Sequence, residues 1–176
     1  NVVGTQILLD AAREHGRRVV CVSTDEVYGD LPLEPSAARF TEASPLRPRN
    51  PYAASKAAGD CLARAAVVTH GQDVVVTRSP NNFGPRQFPE KVIPLFVTNL
   101  LRGRRVPLYG DGLHVRDWIH VDDHCEALIR VLEAGRAGEV YNIGAHNERA
   151  NVELTRLILA EMGLGDDMIE RAPDRP

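Results

Sequence analysis

The sequence predicts an α/β protein, a parallel sheet joined by crossover helices. Apolar runs of strand length alternate with helical patterns of ten or more residues. Two strands, Val19-Val20-Cys21-Val22 and residues 73–77, read as continuously apolar, as burial on both faces requires. In such sheets ligands bind beyond the carboxyl ends of the strands. The loops after Thr24 and at Asn81 are therefore expected to line one crevice.

Each element has a local reason. Val3, Ile7, Leu8 and Ala11 recur at helical spacing over residues 2–15, and Gly16 can close that helix. The strand at Val19 ends in Ser23-Thr24-Asp25-Glu26. A loop with Pro32, Pro35, Pro45 and Pro48 follows, punctuated by Gly29. Asn50 is an N-cap and Pro51 suits the first helical position, so a helix is expected from Pro51 to His70, closed by Gly71. After the strand over 73–77, residues 78–89 read as a loop. Val92 to Arg102 looks helical, Val106 to Tyr109 extended, and Gly110-Asp111-Gly112 a turn. Val115 to Val121 is extended, with Asp122 as the expected cap of a helix over 123–134. A strand at Val140 to Ile143 and a helix at Val152 to Met162 complete the pattern.

With 176 residues the chain has the size of about one domain. Lys and Arg total 21 against 24 Asp and Glu, a net charge of −3, which excludes a nucleic-acid binder held by bulk charge. A 43% hydrophobic content with 26% charged residues is that of an ordinary globular protein and excludes disorder as the main state. No apolar run approaches a membrane span, and no signal peptide is expected at the start. Cys21, Cys61 and Cys125 are too dispersed for a disulfide framework or a zinc site. A cytoplasmic location is expected. The chain starts at Asn1 and ends at Asp174-Arg175-Pro176, and an interior piece of a longer protein is expected. Only Lys56 and Lys91 are lysines; every other basic residue is arginine. Such a bias points to Lys being kept where a compact, tunable charge is needed.

Four constellations can carry chemistry. In Tyr52-Ala-Ala-Ser-Lys56 the phenol and ammonium lie on one helical face. The helix N-terminus and Lys56 are expected to lower the Tyr52 pKa, making it a base toward a hydroxyl. The bare spacing also fits an exposed Tyr and a solvated Lys. Thr24-Asp25-Glu26 offers a hydroxyl and two carboxylates that serve as acid and base if their environments separate them; the commoner use of Asp-Glu after a strand is a polar turn. Asn81-Asn82-Phe83-Gly84-Pro85-Arg86, continuing to Glu90-Lys91, supplies amides and a cation for phosphates and sugar hydroxyls, or simply a turn. Arg116-Asp117-Trp118 contains an arginine able to clamp a diphosphate. Nearby His120 and His124 lie beside Asp122 and Asp123, but Asp122 is better explained as a cap, and no metal is expected.

With these residues in view, the chain resembles the extended short-chain dehydrogenase/reductase family, and within it the dTDP-sugar 4,6-dehydratases. The stretches that carry the likeness are Val22-Ser-Thr-Asp-Glu-Val-Tyr-Gly29, Pro51-Tyr-Ala-Ala-Ser-Lys56, Asn81 through Pro94, and Gly112 through Asp123. Tyr141-Asn-Ile-Gly144 and His146-Asn147-Glu148 add to it. The resemblance implies a Rossmann-like fold. Residues 1–80 would be the C-terminal part of the NAD-binding domain with the catalytic residues. Residues 81–176 would hold substrate-binding loops and part of a smaller nucleotide-sugar domain, with segments returning to the sheet.

It implies NAD as cofactor, dTDP-glucose as substrate, and loss of water across carbons 5 and 6 after transient oxidation at carbon 4. Tyr52, helped by Lys56 and Thr24, would act at carbon 4, Glu26 as base at carbon 5, and Asp25 as acid at carbon 6. Tyr52, Lys56 and Asn82 would touch NAD. Thr24, Asn81, Glu90, Lys91, Pro107, Tyr109, Arg116 and Asn151 would hold the nucleotide sugar. The family's pairing implies a homodimer through helices 2–15 and 51–70. The alternatives are another nucleotide-sugar epimerase, decarboxylase or dehydratase of the family, or a non-catalytic NAD-sensing module. The family's Gly-x-x-Gly-x-x-Gly loop does not occur in these residues, so this piece alone is expected to bind NAD poorly and to be inactive.

Overall fold

The computed structural model describes residues 1–30 and 39–174. Pro32 and Pro35 of the proline-rich loop, and Arg175-Pro176, lie outside the described residues.

Helix α1 spans Val2–Glu14, followed by Gly16 at φ 59°. Strand β1, Val19–Thr24, leads into a 3-10 turn, Asp25–Tyr28. Helix α2 spans Pro51–His70. Its limits are local: Asn50 Oδ1 accepts from Ala53 N–H at 2.8 Å, Pro51 opens the first turn, and Gly71 closes it at φ 63°. Strand β2, Val74–Ser79, is buried at every position. Short strand β3 is Asn81–Phe83, helix α3 Val92–Leu101, strand β4 Val106–Tyr109 and strand β5 Val115–His120. Helix α4 covers Val121–Ala134, followed by strands β6, Val140–Asn142, and β7, Glu148–Ala150. Helix α5, Asn151–Glu161, a 3-10 turn at Asp166–Met168 and strand β8, Ile169–Ala172, follow.

The central sheet is parallel, in the order β1-β2-β6. Its register sets Thr24 beside Ser79 and Arg78 beside Asn142, so three strand ends stand together. β3 runs parallel to β5, which pairs antiparallel with β7, and β4 runs parallel to β8. One core joins α1 and α2 to the sheet through Leu9, Ala63, Ala66, Val74 and Val76. A second joins α3, β4 and α5 through Phe96, Leu100, Val106, Ile158 and Leu159. A third, of Val27, Tyr28 and Ala57, fastens the turn after β1 to α2.

Four expectations need correction. Residues 78–89 are not all loop: β2 continues through Ser79, and Asn81–Phe83 pairs with Trp118–His120. That pairing is long-range, so the Asn-rich composition gave no sign of it. Asp122 does not cap α4; the helix begins at Val121, and His120 Nδ1 accepts from Asp122 N–H at 3.3 Å. β1 is not buried on both faces here: Val19 to Cys21 are half-buried and Val22 is 46% exposed. Strands β7 and β8 were not foreseen; each depends on a distant partner.

Candidate active site

The site begins where β1 ends. Thr24 is extended, and its hydroxyl accepts from Glu26 N–H at 3.3 Å while lying 3.3 Å from Asp25 Oδ1, to which it donates. One side chain thus caps the turn and touches the first carboxylate. Val27 and Tyr28 close the turn with buried side chains. Gly29 follows at φ 94°, where a Cβ would stand 2.6 Å from the Arg47 carbonyl oxygen. Arg47 N–H donates to the Val27 carbonyl at 2.9 Å, which is why the chain runs so close there.

The two carboxylates differ in surroundings. Burial raises the Asp25 pKa from 3.8 to about 6, and the Glu26 charge adds to the rise. The Thr24 hydroxyl, the Arg116 charge and the Glu26 N–H pull the other way. Glu26 instead receives a hydrogen bond from Asn50 Nδ2 to its Oε2 at 3.1 Å. Asn50 therefore caps α2 with its oxygen and holds Glu26 with its nitrogen.

Tyr52, in the first turn of α2, is 51% exposed. Its pKa is raised, against expectation: partial burial acts first, then the charges of Glu26 and Asp25. Burial first, and the two carboxylates after it, set the direction opposite to the one expected from the helix end and Lys56. Lys56 Nζ donates to the Val22 carbonyl oxygen at 2.6 Å, tying α2 to β1.

Asp25, Glu26, Asn50, Pro80, Arg116 and Ile143 are among the residues lining a cleft of about 310 Å³ at the carboxyl ends of β1, β2 and β6. Of the residues singled out in the sequence, Asp25, Glu26 and Arg116 thus meet in one cleft, with Thr24 buried beneath. Tyr52 is close enough to feel both carboxylates. Asn81 and Asn82 sit in β3, just past Pro80. Glu90 and Lys91 are exposed ahead of α3, Pro107 and Tyr109 lie on β4, and Asn151 opens α5. None of these seven lines the cleft. The crevice expected at Asn81 is lined by its neighbour Pro80 instead.

The cleft also contains residues that sequence reasoning missed. Arg39 pairs with Glu148 at 3.3 Å and contacts His146. Asp117 accepts from the N–H groups of Trp118, Ala145 and Asn147 at 2.8–2.9 Å, shaping the wall at 144–147. Tyr28, Arg78 and Asn142 form the floor. Tyr28, Asp117, Asn142, His146 and Glu148 stand in stretches that carry the family likeness but drew no role there; Arg39 and Arg78 stand outside them.

The residues present fit one end of a dinucleotide. Tyr52 is exposed in the first turn of α2, and Asn82 Oδ1 is buried without a hydrogen-bond partner while its Nδ2 donates to the Pro80 carbonyl at 3.1 Å. Its free acceptor suits an amide or hydroxyl donor.

Comparison with known proteins gives the site its context. Residues 1–144 match the family described as the NAD dependent epimerase/dehydratase family. The chain is 55% identical to a dTDP-glucose 4,6-dehydratase of Streptomyces niveus, covering 100% of this chain and 52% of that protein. It is 57% identical to one of an Actinoplanes strain, covering 99% and 54%. A crystal structure of a dTDP-glucose 4,6-dehydratase from Bacillus anthracis, in complex with NAD, superposes with a TM-score of 0.95 at 50% identity, covering 99% of this chain and 56% of that one. The chain spans about half the length of the curated relatives it matches. On the family match over most of its length, and on this shared fold, the chain belongs to the NAD dependent epimerase/dehydratase family.

Proposed function

We propose that the protein carrying this chain removes water from dTDP-glucose, giving dTDP-4-dehydro-6-deoxy-glucose. The observation that carries this is the pair Asp25 and Glu26, adjacent in one cleft but set in different environments. Elimination of water needs one group that holds a proton and one that takes a proton. Burial keeps Asp25 protonated to higher pH than an ordinary carboxyl, while Asn50 orients Glu26.

In this scheme NAD supplies a place for a hydride to leave carbon 4 and return to carbon 6. The chain's own residues move the protons. Tyr52 takes the carbon-4 hydroxyl proton, with Thr24 orienting that oxygen and Lys56 supporting the phenol. The ketone acidifies the hydrogen on carbon 5, which passes to Glu26. The bond from carbon 6 to its oxygen breaks, and Asp25 gives its proton to the departing hydroxyl, which leaves as water. When hydride returns to carbon 6, the proton held on Glu26 returns to carbon 5. Tyr52, Lys56 and Asn82 are the residues assigned to NAD. Arg116 meets the diphosphate, and Asn81, Glu90, Lys91, Pro107, Tyr109 and Asn151 the rest of the nucleotide sugar.

The same reading divides the chain into a cofactor-side part, 1–80, and a substrate-side part, 81–176; the separate core of α3, β4 and α5 supports the division. A homodimer through α1 and α2 is supported by exposed Val3, Ile7, Leu8 and Val68 on those helices. A cytoplasmic location is proposed with it; among the described residues no helix is long and apolar enough to cross a membrane.

The test is product mass. Protein carrying this chain, supplied with NAD, is incubated with dTDP-glucose and separately with UDP- and GDP-sugars. Loss of one water from the dTDP sugar, abolished by Asp25→Asn, is expected. An unchanged mass with altered stereochemistry would make the protein an epimerase, and no reaction despite bound NAD a sensing module.

A further inference from the structure

The floor of the cleft is a hydrogen-bonded chain that the proposed chemistry does not use. Arg78, on β2, donates from Nε to Asp60 Oδ2 on α2 at 2.9 Å and from Nη1 to the Tyr28 hydroxyl at 2.8 Å. That hydroxyl donates to Asn142 Oδ1 on β6 at 2.7 Å. Asn142 N–H in turn donates to Glu42 at 2.9 Å. Tyr28 stacks on Phe40 with ring centroids 4.9 Å apart, and the Arg78 guanidinium lies 4.8 Å from the Tyr28 ring centre. Asp60, Arg78 and Tyr28 are 5%, 6% and 3% exposed.

Two features make this more than packing. A buried ion pair contributes little to stability, since an apolar replacement of like volume is often neutral or stabilising; what the pair does supply is a fixed geometry. And the chain joins the two halves of the proposed machinery. Tyr28 ends the turn whose first residues are Asp25 and Glu26. Asp60 lies one helical turn beyond Lys56, on the helix that carries Tyr52.

We infer that Tyr28 is a positioning residue: its hydroxyl, held between Arg78 and Asn142, fixes the Asp25-Glu26 turn relative to the helix bearing Tyr52. This rests on the dehydratase reading. Oxidation at carbon 4 depends on Tyr52 and Lys56, which hang from α2, and on Thr24, which the β1–β2 register holds beside Ser79 ahead of the turn. Loosening the turn therefore slows elimination and spares oxidation.

The test is Tyr28→Phe, which removes the hydroxyl and keeps the ring stack on Phe40. In the protein carrying this chain, rapid quench with NAD and dTDP-glucose is expected to show a sugar that has lost two hydrogens but no water, with water loss slowed about tenfold to a hundredfold and KM changed less than about threefold. Equal slowing of both steps, or no change in either, overturns the inference. Asn142→Leu, which takes away the acceptor of the Tyr28 hydroxyl and a 3.5 Å bond from Nδ2 to the Phe40 carbonyl, is expected to show the same split more weakly, and covers the case of a poorly folded Tyr28→Phe.

A second arm needs no substrate. The Glu26 and Gly29 amides, bonded to the Thr24 hydroxyl and the Glu26 carbonyl, are expected to exchange hydrogen about tenfold faster in Tyr28→Phe, with the α2 amides unchanged. Unaltered protection of Glu26 and Gly29 overturns the inference whatever the wild type does with dTDP-glucose. A wild type that removes no water overturns the dehydratase reading instead.

Discussion

The Lys56 ammonium lies 2.6 Å from the Val22 carbonyl oxygen, so the lysine four residues after Tyr52 ties α2 to β1. Val22 is next but one to Thr24, and the bond holds the start of α2 against the end of β1. Lys56→Met is expected to lower stability by about 1–2 kcal/mol, the scale of one charged hydrogen bond. It is also expected to cut carbon-4 oxidation by about a hundredfold or more. Denaturant melting and single-turnover kinetics on the same preparation separate the two effects. Full activity in Lys56→Met would remove the lysine from the machinery.

Asp25 sets a pH dependence whose sign can be worked out. Its folded pKa, about 6, lies above its ordinary 3.8. Between those values the folded chain binds more protons than the unfolded one, so stability falls as pH rises through the window and stays lower above it. The cost at neutral pH is about 2–3 kcal/mol. Asp25→Asn is expected to recover most of that at about pH 8 and to flatten the slope between about pH 4 and 6. Water elimination, which needs the protonated acid, is expected to decline above about pH 6 in the wild type. Parallel melting curves of wild type and variant across that range check the first claim, and an unchanged slope contradicts it.

Tyr52 titrates in the opposite functional sense. Partial burial and the charges of Glu26 and Asp25 raise its pKa, so oxidation is expected to increase as pH rises. Glu26→Gln removes the larger of the two charge effects and is expected to shift that alkaline limb to lower pH; Asp25→Asn shifts it less. Phenolate absorbance, taken as the difference between each protein and its Tyr52→Phe counterpart, measures the shift directly. A limb that stays put in Glu26→Gln would mean that burial alone sets the phenol.

What was legible in the sequence was local. Asn50, Pro51 and Gly71 place the ends of α2 because caps and left-handed closures involve neighbours along the chain. The apolar run of β2 betrays its burial for the same reason. Thr24, Asp25 and Glu26 stood out because they are contiguous. What depends on distant partners was not legible. β3 looked like a turn because its pairing with β5 is long-range, and the lowering expected for Tyr52 reversed because neither its burial nor the carboxylates near it can be read from the helix alone. Arg78 drew no functional reading in the sequence; its partners Asp60 and Tyr28 come from two other elements, and Tyr28 in turn bonds Asn142 on a third.

Asn50 makes the separation between fold and chemistry testable at one position. Its oxygen caps α2 through Ala53 N–H at 2.8 Å, and its nitrogen donates to Glu26 Oε2 at 3.1 Å. Asn50→Ala loses both contacts and is expected to cost about 1 kcal/mol of stability, the usual value of an N-cap. Asn50→Asp keeps the capping oxygen and adds a charge that suits a helix N-terminus, so stability is expected to stay within about 0.5 kcal/mol. Yet it replaces the donor to Glu26 with a repelling carboxylate, which pushes the Glu26 side chain out of its present orientation. Elimination is therefore expected to fall more in Asn50→Asp than in Asn50→Ala, although Asn50→Asp melts higher. If activity instead follows melting temperature across the two variants, Asn50 acts through the helix alone, and its bond to Glu26 carries no catalytic weight.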